Sequence, residues 1–350
     1  MPSCLKCGTA LAVNEEGVAP VLCDRCAGVA TGRARRAMAV GGLGRYPVTA
    51  GLLAINIVAF LLELVPSLNV KYWGVNYGPL TISGEYWRLF TAGFLHADII
   101  HIGLNMWCLW SLGRLSERLF GRWQTFAIYM LTGVGGALLS IANNPQHGEL
   151  GASGAVFGIV GAVIAGVKFG DLDISSGEKR AIVSSALSFA VLNFVLGLSG
   201  NFGVSMFANV DNMCHLGGFV TGLLVGLPLG AFFRNKSLQL ATLVVTSAVL
   251  VAGGRELVQK NGAEAYKTAA AIAWQDRDYS RMKHLLEKYT VARPDDDVGL
   301  VMLGEAYLNN NEPDKAISAL EQALRVNPNS EVAKQDLEEL QSRQPPSKNK

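Results

Sequence analysis

Gly151-Ala-Ser-Gly-Ala-Val-Phe-Gly-Ile-Val-Gly-Ala-Val-Ile-Ala-Gly-Val167 carries no charged side chain and a single polar one, Ser153. A run of this kind reads as a helix that crosses lipid, with small residues that let a neighbouring backbone come close. The Gly154/Gly158 spacing recurs downstream as Gly218/Gly222, so two glycine-bearing helices are available to pack together. The serine lies at the start of its run, where the backbone N–H groups of a helix have no intrahelical partner.

The rest of the chain fits the same setting. Of 350 residues, 50% are hydrophobic and 17% charged, against about 25% charge in ordinary soluble domains. Charges are scarce from about 47 to 253 and dense on either side, and a net charge of +2 gives no reason to expect a nucleic-acid partner. The first apolar run, 48–65, is long enough to cross a hydrocarbon core of about 30 Å. Further candidate spans are 90–112, 123–142, 153–169, 182–200, 212–233 and 238–254. Runs of this length are helices, because barrel strands need only about ten residues of alternating polarity. The expected fold class is therefore an all-α polytopic membrane protein, with a six-helix core and a seventh span. No apolar stretch follows Met1, so nothing there reads as a cleaved signal peptide.

Basic residues set the expected orientation. Arg33, Arg35, Arg36 and Arg45 precede the first span, Arg118 and Arg122 separate the second from the third, and Lys179 and Arg180 separate the fourth from the fifth. Arg234 and Lys236 follow the sixth, whereas 143–152 and 201–211 hold no Lys or Arg. The N-terminus is thus expected in the cytoplasm and, with seven spans, the tail outside it; with six the tail would be cytoplasmic. The membrane is read as a bacterial-type cytoplasmic membrane. The organisation expected is a cysteine-bearing segment 1–30, a basic linker 31–47, a membrane core 48–233, a seventh helix within 234–254, helical repeats over 263–330 and a disordered end 343–350.

Cys4-Leu-Lys-Cys7 and Cys23-Asp-Arg-Cys26 are two CxxC pairs fifteen residues apart, the spacing of a four-thiolate zinc ribbon. A reducing cytoplasm favours metal over disulfide. The zinc expected there is structural, and no cofactor is expected for catalysis.

The tail shows a 34-residue period. Over 297–330, Leu303, Gly304, Tyr307, Ala316, Leu320, Ala323 and Pro328 stand where a tetratricopeptide pattern places such residues. One period earlier, 263–296 retains only Ala270, Ala273 and Pro294, a degenerate copy. Such a module grips protein partners; a helical cap without a ligand would show the same pattern.

Polar residues inside apolar spans point to function, because burying them in lipid is costly. The second span holds His96, His101 and Asn105, the fourth opens on Ser153, and the sixth holds His215 in Asn212-Met-Cys-His-Leu-Gly-Gly-Phe219. Singly, each has a plainer reading: a serine among glycines as a helix-packing site, a membrane histidine as a haem ligand or proton relay. Together they are more specific. A serine nucleophile needs a base, and histidine is the usual one. His101 and Asn105, at i and i+4, share a helix face, and both can donate to a developing oxyanion beside the Ser153 backbone N–H.

Over about 48–233 the chain resembles the rhomboid family of intramembrane serine proteases. Trp87-Arg88 looks like that family's WR motif, His101-Ile-Gly-Leu-Asn105 its HxxxN, Gly151–Gly158 its GxSGxxxG, and His215-Leu-Gly-Gly218 with Gly222 its AHxxGxxxG region. Cys214 replaces the usual alanine. The resemblance implies Ser153 as nucleophile and His215 as general base, a dyad with no acid. It implies His101, Asn105 and the Ser153 amide as the oxyanion hole. Trp87, Arg88, Glu117, Gly151, Gly154, Gly158, Gly218 and Gly222 would be structural, with Glu117 pinning a loop and His96 supporting one. The implied substrate is a membrane-anchored protein cut near the outer face of the bilayer. Asp211, four residues before His215, could orient its ring, but is expected as a helix N-cap or exposed to solvent instead, and His147 needs no role. Two other readings use the same residues: a non-catalytic relative that escorts membrane helices, and a scaffold that recruits partners through the ribbon and the tail.

Overall fold

The computed structural model describes residues 2–4, 7, 9–11, 23, 43–170, 174–199 and 210–343. Helix α1 (Pro47–Glu63) starts on a proline, whose missing N–H costs nothing at that position. Its first turn is held from a distance by Glu117, which accepts from Val48 N (3.3 Å), Thr49 N (2.9 Å) and Thr49 Oγ1 (2.8 Å). Glu117 thus fastens the start of one helix to another helix, where a loop contact was expected. Past α1 the chain bends by 100° into short pieces: α2 (Val70–Gly74), β1 (Asn76–Tyr77), α3 (Gly78–Ile82) and α4 (Arg88–Thr91).

Helix α5 spans Ile99–Phe120, not 90–112. The apolar residues from Leu89 to Leu95 are separate turns that end before it, and Asp98 restarts the helix as an N-cap by accepting from Ile100 N and His101 N. His96 therefore precedes the second long helix, and Glu117 lies inside it. Helices α6 (Arg122–Asn143), α7 (Ser153–Phe169), α8 (Ser176–Ser199) and α9 (Asn212–Ala231) follow, with β2 (Gly148–Glu149) between α6 and α7. Strands β1 and β2 pair antiparallel, Asn76 opposite Glu149 and Tyr77 opposite Gly148.

Helix α7 is the axis of the core, with Ile159, Val160, Ala162, Val163 and Val167 wholly enclosed by α5, α6, α8 and α9. Only small residues permit its approach to α9. A Cβ on Gly218 would run into the Gly154 carbonyl oxygen, and one on Gly222 into that of Gly158. Among the described residues α6, α9 and the next helix, α10 (Lys236–Gln275), are long and apolar enough to cross a membrane, and α7 is a shorter apolar helix. The chain is an all-α, multi-pass integral membrane protein.

Helix α10 does not stop at 254. It runs unbroken for 40 residues, about 60 Å at 1.5 Å per residue, twice what a bilayer core needs. Its first half shows Leu240, Val244, Val245 and Val249 on the outside, a face suited to lipid. It runs parallel to α6: Gln124 Nε2 donates to Gln239 Oε1 (2.9 Å) near the start of both, and Gly254, midway along α10, lies against Leu138 towards the far end of α6. Its second half buries Ala265, Ala269, Ala270 and Ala273 against α11 (Tyr279–Ala292). Next come α12 (Asp297–Asn309), α13 (Pro313–Val326) and α14 (Glu331–Arg343). The degenerate unit expected over 263–296 is thus an antiparallel pair whose first helix continues a membrane-length helix.

Candidate active site

Ser153 is the first residue of α7, and His215 lies in the first turn of α9. The two helices start on the same face of the bundle, and the glycine contacts above bring those first turns together. His215 Nε2 lies 2.8 Å from Ser153 Oγ, within range for proton transfer. The imidazole is buried, and its plane is set by Phe157, which stacks on it with centroids 4.2 Å apart and planes 9° apart. His215 Nδ1 has no hydrogen-bond partner among the described protein groups.

Asp211 is the N-cap of α9, one of the two roles expected for it. Its carboxylate accepts from Cys214 N (2.9 Å) and from the Ser140 hydroxyl, and no hydrogen bond joins it to the His215 ring among the described residues. Among the described residues no carboxylate is hydrogen-bonded to either ring nitrogen of His215.

Gly151 approaches the site with φ +131°, a conformation that favours glycine. It faces His101: a Cβ there would lie 2.9 Å from His101 Nε2. The Ala97 N–H points at His101 Nδ1 (3.3 Å), so Nδ1 accepts and the ring proton belongs on Nε2, the atom that faces Gly151. His101 is therefore a donor aimed at the turn before Ser153. Asn105 is buried in the same helix, and one of its N–H groups goes to the His101 carbonyl oxygen (3.1 Å). No hydrogen bond joins Asn105 to Ser153 among the described residues. His96 is buried with its ring edge-on to His101, centroids 5.1 Å apart, and its backbone N–H donates to the Glu63 carboxylate (3.1 Å). His147 is exposed in the segment between α6 and α7.

Arg88 is almost wholly enclosed, with 1% of its surface exposed. Its Nε donates to Glu85 (2.6 Å), and its Nη1 to the carbonyls of Tyr72 (2.8 Å) and Val75 (2.9 Å). Trp87 is half-exposed and donates from Nε1 to the Trp73 carbonyl (3.2 Å). The two motif residues thus tie separate parts of the 70–91 segment together.

Two contributors to the site were not read from the sequence. Phe157 carried a usable signal, since i and i+4 put it on the Ser153 face of α7. Glu149 carried none, because its partners are remote. It is buried between β1 and α9, where Oε2 accepts from Asn76 Nδ2 (3.1 Å) and Oε1 from the Cys214 thiol (3.4 Å). Burial pushes this carboxyl up to about 7, against the lowering effect of those two hydrogen bonds. A raised carboxyl stabilises the fold fully below its unfolded pKa and loses that contribution as pH rises through about 7. The wild-type melting temperature is therefore expected to fall between about pH 5 and about pH 8, and Glu149→Gln to flatten that fall. Equal slopes for the two proteins in thermal unfolding would refute this.

In the N-terminal segment, the Sγ atoms of Cys4, Cys7 and Cys23 lie within 4.8 Å of one another. Cys7 and Cys23 are 3.6 Å apart, close to the roughly 3.8 Å edge of a tetrahedron with about 2.3 Å zinc–sulfur bonds. Three thiol donors at that separation fit a metal. Cys26, the expected fourth, lies outside the described residues, as does most of the basic linker. A zinc ion held there would supply folding energy to the segment.

The Rhomboid domain family model matches residues 83–232, and a Tetratricopeptide repeat model matches 298–330. The chain is 27% identical over 294 residues to Rhomboid protease GluP of Bacillus subtilis (strain 168), covering 81% of this chain and 55% of that protein. It is 34% identical over 156 residues to RHOMBOID-like protein 4 of Arabidopsis thaliana, covering 45% of this chain and 37% of that one. Putative rhomboid protease YdcA of Bacillus subtilis (strain 168) is 30% identical over 185 residues, 51% of this chain and 88% of its own. The chain thus spans about half or less of two of these relatives and most of the third.

Proposed function

The chain belongs to the rhomboid family, and on that premise we propose that it is an intramembrane serine endopeptidase with Ser153 as nucleophile and His215 as base. The observation that carries this reading is the 2.8 Å contact between Ser153 Oγ and His215 Nε2. Ser153 Oγ–H donates to Nε2 and attacks the substrate's peptide carbonyl as the proton passes to the imidazole. The tetrahedral oxyanion is met by His101 Nε2–H, the Ser153 backbone N–H at the α7 N-terminus, and Asn105 after a small rotation. His215 then gives its proton to the leaving amine, and water reverses the sequence on the acyl-enzyme. Phe157 keeps the ring in plane throughout.

The substrate is a membrane-anchored protein cut near the outer face of the bilayer. The domain plan that goes with this is a zinc-binding segment 1–30, a linker 31–47, the protease core 48–233, a seventh span within 234–254 and a repeat module over 263–330. A seventh crossing by α10 puts the repeat on the Ser153 face, outside the cytoplasm if the N-terminus is inside. The contact of Gly254 with Leu138 near the far end of α6 supports that placement. The repeat is available there to protein partners.

A fluorophosphonate probe tests the chemistry directly. Wild-type protein in detergent is expected to label at Ser153, and His215→Ala to lower the labelling rate by about 10³-fold or more. Labelling that ignores the His215 substitution would leave Ser153 without its base and remove the proposal.

A further inference from the structure

The repeat tail is more than an attachment to the membrane core, because it is docked on the segment that leads into the active site. Leu80 of α3 is buried in one apolar cluster with Ala269 and Ala273 of α10 and Met282 of α11. Ile82 shares a second cluster with Ala265. Beside these apolar contacts Tyr72 donates to Asp276, and Arg281 pairs with Glu85.

Glu85 is the pivot. It is buried, its Oε2 receives Arg88 Nε (2.6 Å), and its Oε1 receives Arg281 of the tail. A buried carboxylate between two guanidinium groups is firmly placed, since each partner offsets part of its desolvation. Arg88 passes the constraint to the carbonyls of Tyr72 and Val75, and Thr91 Oγ1 closes the segment on the Gly74 carbonyl (2.8 Å). The chain then reaches Ala92, whose carbonyl accepts the N–H of Gly151 (2.9 Å). Gly151 is the positive-φ residue under His101, two before Ser153. A continuous path of fixed contacts therefore runs from the tail to the turn that presents the nucleophile.

We propose that the repeat tail is a positioning element of the active site, and that Arg281 is the positioning residue through which its docking on Glu85 sets the Gly151 turn. The proposal rests on the reading of Ser153 as nucleophile. Its chemistry is geometric: a docked tail holds Gly151, and with it the Ser153 N–H and His101 Nε2–H, where the oxyanion forms. An undocked tail leaves Glu85 with Arg88 as its one guanidinium partner. Errors of about 1 Å in such donors cost up to about 100-fold in rate.

The test uses the full chain, with three readouts: fluorophosphonate labelling rate, kcat and KM on a membrane-anchored reporter, and melting temperature. Arg281→Ala is expected to lower both the labelling rate and kcat by about 10-fold with KM within about twofold, and Arg281→Lys to recover part of that loss. Lys283→Ala is the control, because Lys283 pairs with Glu312 inside the tail (2.5 Å) and not with the core; it is expected to keep wild-type rates. Tyr72→Phe, which removes only the hydroxyl bond to Asp276, reads the same coupling if Arg281→Ala does not insert, and a smaller fall in the same two rates is expected. Wild-type labelling and kcat in Arg281→Ala, or a rise in KM alone, overturns the proposal, and so do wild-type rates in Tyr72→Phe where that variant stands in. A lowered melting temperature with unchanged rates also overturns it, since a merely structural tail would behave that way. Failure of the wild type to label at Ser153 is a different result, and counts against the nucleophile and not the tail.

Discussion

Ser153→Ala is expected to bring cleavage of a membrane-anchored reporter to background, a fall of about 10⁴-fold or more, while the protein still inserts and folds. The substitution deletes one oxygen. Among the described residues that oxygen hydrogen-bonds to His215, and the packing of α7 does not rest on it. What remains is a buried imidazole with Nε2 unsatisfied, a cost of about 1–3 kcal/mol that a well-packed bundle tolerates. His215→Ala is expected to fall as far, and the double variant no further, because nucleophile and base act as one unit. Cleavage measured in vesicles decides the matter. Residual turnover in Ser153→Ala, or additive losses in the double variant, would show that the two do not share a reaction coordinate.

How much of this was legible from sequence follows from the distance over which each feature is determined. Ser153 and His215 were legible together because close helix approach has a local signature, a glycine every fourth residue on both partners. The N-cap role of Asp211 was legible as one of two alternatives, because N-caps are set within three residues. The start of α5 was misplaced, although Asp98 ahead of Ile99 offered the same kind of capping signal; the apolar turns from Leu89 to Leu95 outweighed it in a hydropathy reading. The unbroken course of α10 passes through Gly253-Gly254-Arg255, where the expected seventh span ends. Two glycines cost a helix about 2 kcal/mol together, and packing against α6 and α11 outweighs that. The tail contact could not be read at all, since Arg281 and Glu85 are 196 residues apart and neither belongs to a pattern. The fourth thiol of the cysteine segment lies outside the described residues, so its spacing remains the argument for it.

Gly218→Ala and Gly222→Ala are expected to cost most of the activity without touching a reacting atom, by about 100-fold or more for Gly218. Each adds one methyl group to α9 where the opposing atom is a backbone carbonyl oxygen of α7, at Gly154 and Gly158. A backbone oxygen cannot rotate away as a side chain would, so the helices themselves must part. Gly218 sits three residues past His215 and opposes the residue after Ser153. Parting there stretches the 2.8 Å contact beyond hydrogen-bond range and tilts the imidazole off Phe157. Gly222 is one turn deeper, so its variant is expected to lose more melting temperature and less activity than Gly218→Ala. The comparison substitution is Gly253→Ala in α10, where a Cβ meets nothing within 4 Å. There the same methyl is expected to raise stability by up to about 1 kcal/mol, because alanine is the better helix former. Opposite signs at 218 and 253, read from melting curves and fluorophosphonate labelling rates, would tie the dyad to the α7–α9 contact. Wild-type labelling in Gly218→Ala would mean that the serine and histidine are held together by something other than the glycine seam.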